Sequence, residues 1–136
     1  MITVKSVKLA AAALVLGIGS NIASALPCDG FEIVVKNNLS AEDFRTASVL
    51  LENANISPSG EHMISRNGQQ IFTVSYSTEQ AMPGSFKLKT ISIPSKPVTI
   101  NYTLTNTGDS CSLSNVSFDG KYTVTQEGSN FTISDR

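Results

Sequence analysis

The stretch Pro97-Val98-Thr99-Ile100-Asn101-Tyr102-Thr103-Leu104-Thr105 decides the fold class. Val98, Ile100, Tyr102 and Leu104 alternate with Thr99, Asn101, Thr103 and Thr105, and a period of two marks a strand with one dry and one wet face. The same pattern extends outward in both directions. Phe31, Ile33 and Val35 share one face of Phe31 to Lys36, while Gln70 to Ser77 and Ser85 to Ile93 read as two further strands. Towards the end, Gly120 and Gly128 bracket Lys121 to Gln126, and Phe131 and Ile133 share a face of Asn130 to Ser134, which predicts a closing hairpin. Met63 to Arg66, Asn67-Gly68 and Gln69 to Phe72 predict another, because Asn-Gly accepts the positive φ angles of a two-residue turn.

Leu39 to Ala54 reads two ways. Ser40 with Asp43 resembles a helix N-cap, and Phe44, Ala47, Leu51 and Ala54 fall near helical spacing. Val49, Leu50 and Leu51, followed by Ser57-Pro58-Ser59-Gly60, suit a strand ending in a turn. We take a short turn, with a helical option, followed by a strand. Seven or eight short strands separated by turn signals, with no long helix, predict an all-β fold: an antiparallel immunoglobulin-like β-sandwich with one disulfide. The chain has no Trp, so antibody-like details are not implied.

The N-terminus assigns a destination. Lys5 and Lys8 precede the apolar run Leu9 to Ile18, and Ala23-Ser24-Ala25 supplies small residues at the spacing of a cleavage site. Residues 1–25 therefore read as a signal peptide, leaving 26–136 as a single β-sandwich domain. The run is shorter than the roughly twenty residues that span a bilayer, and no comparable run follows, so no membrane span is expected. Lipidation of Cys28 is a rival, but Leu26-Pro27 stands where lipoprotein processing wants a small residue.

Removal of Lys5 and Lys8 leaves 8 basic against 11 acidic residues, a formal charge of -3. That balance argues against nucleic acid or an anionic membrane as partner, since Lys87, Lys89 and Lys96 are the densest basic group. We read those lysines as a solvated strand edge. In an oxidising compartment the only two thiols, Cys28 and Cys111, have one possible pairing and form a structural disulfide.

Catalytic equipment is scarce. His62 is the single histidine, in Gly60-Glu61-His62-Met63, without a nucleophile elbow, and with two cysteines it cannot complete a common zinc set. Glu42-Asp43, Glu61, Asp109, Asp119 and Glu127 read as solvated turn residues. No Walker loop or dinucleotide fingerprint occurs, so no catalytic residue, cofactor or metal is assigned. Five Asn-x-Ser/Thr sequons stand at Asn38, Asn55, Asn101, Asn115 and Asn130, several of them expected from Ser and Thr richness alone.

In its signal, its Cys28 and Cys111, and its strand count, the precursor resembles the small one-disulfide β-sandwich proteins that Gram-negative bacteria export, including type II-secreted proteins and fimbrial subunits. The resemblance implies a bacterial protein of the periplasm or the medium. It departs from fimbrial subunits, whose bridge joins two early strands, whereas Cys111 lies late; no functional residue is carried over.

The leading expectation is an exported non-enzymatic binding protein, in one form a secreted effector or virulence-associated factor. A structural or assembly subunit of the envelope or of a fimbria-like polymer is the alternative, and an unorthodox carboxylate enzyme is third. The expected partner is a protein or glycan, and the chain itself a monomer. The candidate partner loop is Ser77 to Gly84, with Thr78, Gln80, Met82 and Pro83 as contacts, sharing one end of the sandwich with the Ser57 to Gly60 turn. A bland alternative has Met82 plugging the core.

Overall fold

The alternation in the sequence becomes ten strands in the computed structural model, which describes residues 25–136. The strands are β1 (Glu32–Asn38), β2 (Phe44–Leu51), β3 (Asn55–Ser57), β4 (Met63–Ile64), β5 (Gln69–Ser75), β6 (Met82–Thr90), β7 (Pro97–Thr107), β8 (Ser110–Gly120), β9 (Thr123–Glu127) and β10 (Asn130–Ser134). They form two five-stranded sheets, ordered β3-β5-β1-β10-β9 and β4-β2-β6-β7-β8. No helix occurs among the described residues, and none is long and apolar enough to cross a membrane. The signal-peptide assignment falls on 1–25, nearly all outside the described residues.

The sheets face each other across one core. Ile33, Val35, Phe72, Val74, Phe131 and Ile133 come from the first sheet, and Phe44, Phe86, Leu88, Ile100, Tyr102 and Leu104 from the second. Phe72 lies 4.6 Å from Phe86 between ring centroids, and Phe86 stacks on Tyr102 at 5.2 Å. Each such ring, fully buried, stabilises the fold by about 1.5–3 kcal/mol.

Two packed sheets and one disulfide agree with the sequence reading; the strand count is ten rather than seven or eight, and the pairing is not wholly antiparallel, since β1 runs parallel to β10. The two strands without a counterpart in the sequence reading are β3, just ahead of the Ser57 turn, and β8, and three local readings change. The Leu39 to Ala54 segment is a loop followed by β2, with no helix, and Ala47 is exposed. A bulge between Thr46 and Ser48 inserts one residue, so the buried phase passes from Phe44 and Thr46 to Val49. That slip imitates helical spacing. Second, Asn67-Gly68 does turn the chain, with Asn67 at φ 63° and Gly68 N–H donating to Ser65 O at 2.8 Å, but it joins different sheets rather than a hairpin. Third, β8 is a full strand over residues that the sequence reading leaves unassigned. A bulge opposite Tyr102 shifts its phase in the same way, from Cys111 and Leu113 to Val116 and Phe118.

Lys87 and Lys89 sit on β6, between β2 and β7, so they do not guard an edge as the sequence reading held. The edges are β3, β4, β8 and β9.

Candidate functional site

At the end of the sandwich where β1 begins, the loop selected from sequence is held down rather than offered. Asp29 Oδ1 accepts from Ser77 N–H at 2.8 Å. Asn106 Nδ2 donates to Thr78 O at 2.8 Å and to Ser77 Oγ at 3.2 Å, while its Oδ1 accepts from Cys28 N–H at 2.6 Å. Met82 is wholly buried in β6, so its side chain fills the core, while Gln80 and Pro83 are exposed and Thr78 is half-buried. The Ser57 to Gly60 turn does not share this end. Asn55 pairs with Ser75 and Ser57 with Thr73, which carries that turn away along the sheet, and the preceding turn takes its place, Asn53 Nδ2 donating to Ala81 O at 2.8 Å.

The opposite end carries the less expected surface. The sequence reads Ser85 to Ile93 as one strand, yet β6 stops at Thr90. Thr90 N–H donates to Lys96 O at 3.1 Å, and Lys96 N–H donates to Thr90 Oγ1 at 2.8 Å, which closes a loop whose apex is Ile91 to Ser95. Ile91 N–H donates to Asp43 O at 3.2 Å, bracing the loop against the β1–β2 connection. That connection is fixed in turn by buried Asn37, whose Nδ2 donates to Glu42 O and Ile64 O at 2.9 and 3.0 Å. The result is a braced loop with Ile93 98% exposed and Ile91 48% exposed.

Beside it runs a shallow cleft of about 620 Å³ walled by Pro94, Lys96, Pro97, Tyr122, Lys121, Asp135 and Arg136. Tyr122 is anchored edge-on to Phe44 at 5.7 Å, and its hydroxyl donates to Glu42 Oε2 at 3.1 Å. Lys96 Nζ reaches the same oxygen at 3.4 Å. The Ser92 hydroxyl, ahead of Tyr122 and Lys96, holds the Glu42 carboxyl below its ordinary range although partial burial opposes this. Burial first, then Glu42, pushes Tyr122 up to about 12, so it stays a neutral donor. The cleft therefore offers proline and tyrosine walls and a charged rim in which Lys121 and Arg136 stand with Asp135.

His62 precedes β4, half-buried, its main chain tied to Thr46 through His62 N–H to Oγ1 at 2.8 Å. Among the described residues no three His, Cys, Asp or Glu side chains converge as metal ligands would. The Cys28–Cys111 disulfide is formed, joining the segment before β1 to the start of β8. All five sequon asparagines are exposed. Comparison of the chain with protein-family models, curated proteins and solved structures finds no match.

Sequence reasoning missed the Ile91–Tyr122 end because alternation through Lys89-Thr90-Ile91-Ser92-Ile93 continues the strand pattern. Pro94 immediately after Ile93 was the available signal, since proline removes a ladder donor.

Proposed function

We propose that the chain is an exported, non-enzymatic binding protein that contacts a protein partner through Ile93 and the adjoining cleft. The observation that carries this reading is Ile93: a large aliphatic side chain 98% exposed at the apex of a braced loop. A side chain presented on a rigid loop loses little conformational freedom on binding, and an apolar anchor with a polar rim is the anatomy of protein interfaces. Export is supported by the signal-like N-terminus and the disulfide; the bridge suits an oxidising compartment. Lys121 and Arg136, which outnumber Asp135 in the cleft that starts at Pro94, favour a partner whose contact patch is apolar and edged with carboxylates.

The test is parallel capture with immobilised residues 26–136 in three forms: wild type, Ile93→Asp and Gln80→Ala. A protein retained by wild type and Gln80→Ala and lost with Ile93→Asp supports the assignment. Loss with Gln80→Ala alone would return the contact to the Thr78–Pro83 loop. The alternative reading, an assembly subunit, is favoured by a different observation, the unpaired edge of β8.

A further inference from the structure

The four sheet edges are not alike. β3 has three residues and β4 two, while β9 has five and ends in Glu127. β8 has eleven, with no lysine, arginine or proline, and its single charge, Asp119, lies near one end. Edge strands of soluble proteins are usually kept short, charged or interrupted by proline, because their free N–H and C=O groups accept another strand. β8 is long and free of proline, and Asp119 near its end and the bulge are all that guard it.

Its inner face is also incompletely covered. Cys111, Leu113, Val116 and Phe118 point towards the core, yet all remain partly accessible, and Phe118 is 41% exposed although it packs on Phe131 at 6.0 Å. The outward face opposite carries Ser110, Ser112, Ser114, Ser117 and Asp119.

We infer that β8 pairs antiparallel with β8 of a second copy, about a two-fold axis between Ser114 and Asn115. That register sets Leu113 opposite Val116 and Cys111 opposite Phe118, inner residue against inner residue. It sets Ser112 opposite Ser117 and Ser110 opposite Asp119, outer against outer, with no like charges facing. A regular strand does not do this about such an axis, because an odd offset turns inner residues onto outer ones. The extra residue at the bulge restores the match. The strand is thus self-complementary, as an isologous contact requires, and pairing joins two five-stranded sheets into one of ten. The contact is independent of the Ile93 loop and replaces the monomer expected from sequence.

Sedimentation velocity on residues 26–136, made without glycans, from micromolar to near-millimolar concentration tests it. We expect wild type to approach twice the monomer mass. Ser112→Lys with Ser117→Lys sets like charges opposite each other twice and should leave a monomer throughout. Ser112→Lys with Ser117→Glu sets opposite charges together twice and should dimerise at least as tightly as wild type. Both variants lose the same two serines, so a difference between them reports the register rather than folding. A wild type monomeric at every concentration, or two variants that associate equally, overturns the proposal. Should neither variant keep the native circular dichroism, amide exchange in wild type decides: β8 protection that rises with concentration supports pairing, and its absence overturns it.

Discussion

Tyr102 and Asn37 are both buried polar side chains, and they are treated oppositely. Asn37 donates twice and accepts from Leu39 N–H at 3.0 Å, so its amide is satisfied. The Tyr102 hydroxyl is buried without a partner among the described residues, and burial alone raises its pKa. Gly84 makes the room: a Cβ there would stand 2.6 Å from that hydroxyl. An unsatisfied buried hydroxyl costs about 1–3 kcal/mol, so Tyr102→Phe should raise stability by about 1 kcal/mol, read as a higher midpoint in urea. A lower midpoint would mean the hydroxyl has a partner in solution. Glu42 gives a pH signature. Its pKa is lowered by folding, so its contribution is complete above the ordinary carboxylate value of 4.5 and is lost as pH falls through the lower folded value. The stability gap between wild type and Glu42→Gln should hold from neutrality down to about pH 4.5 and close below it. A gap unchanged in strong acid would show that the carboxylate charge is not what matters.

At the scale of elements, legibility followed regularity. β7 was readable because Val98, Ile100, Tyr102 and Leu104 keep phase along the whole strand, and β1, β5 and β10 were readable for the same reason. β2 was ambiguous and β8 invisible because each contains one bulge, and one inserted residue reverses inside and outside for everything after it. In β8 the apolar residues are also separated by Ser, Asn and Asp, which are weak strand formers. β6 was read too long, since Ile91 and Ile93 extend its alternation past the point where Thr90 and Lys96 close the loop. The candidate partner residues fared unevenly: Gln80 and Pro83 are on the surface, but Met82, aligned opposite Leu104, is core. Sequence periodicity reports which side of a sheet a residue takes; it does not report where the ladder ends.

For the molecule as a whole, the sheets bring together segments distant in sequence, and the two ends divide the roles. One end is tied. Cys28 and Cys111, 83 residues apart, join the entry of the domain to β8, with Asn106 bonded to Cys28 and to the Thr78 loop. Restricting the unfolded chain over such a loop stabilises by about 4.5 kcal/mol, so Cys28→Ser with Cys111→Ser should lower the unfolding free energy by roughly that amount, as urea titration would measure. The disulfide was legible because only one pairing exists. The other end collects residues 39–43, 91–96, 121–122 and 135–136, and no pattern in the sequence announces that these four segments meet. Binding through that end is most directly tested by isothermal titration of the captured partner into wild type and Ile93→Asp, with melting temperatures measured alongside. We expect Ile93→Asp to weaken affinity by at least about tenfold with the melting temperature essentially unchanged, because the lost side chain touches partner rather than core. Equal affinity for the two proteins would contradict it.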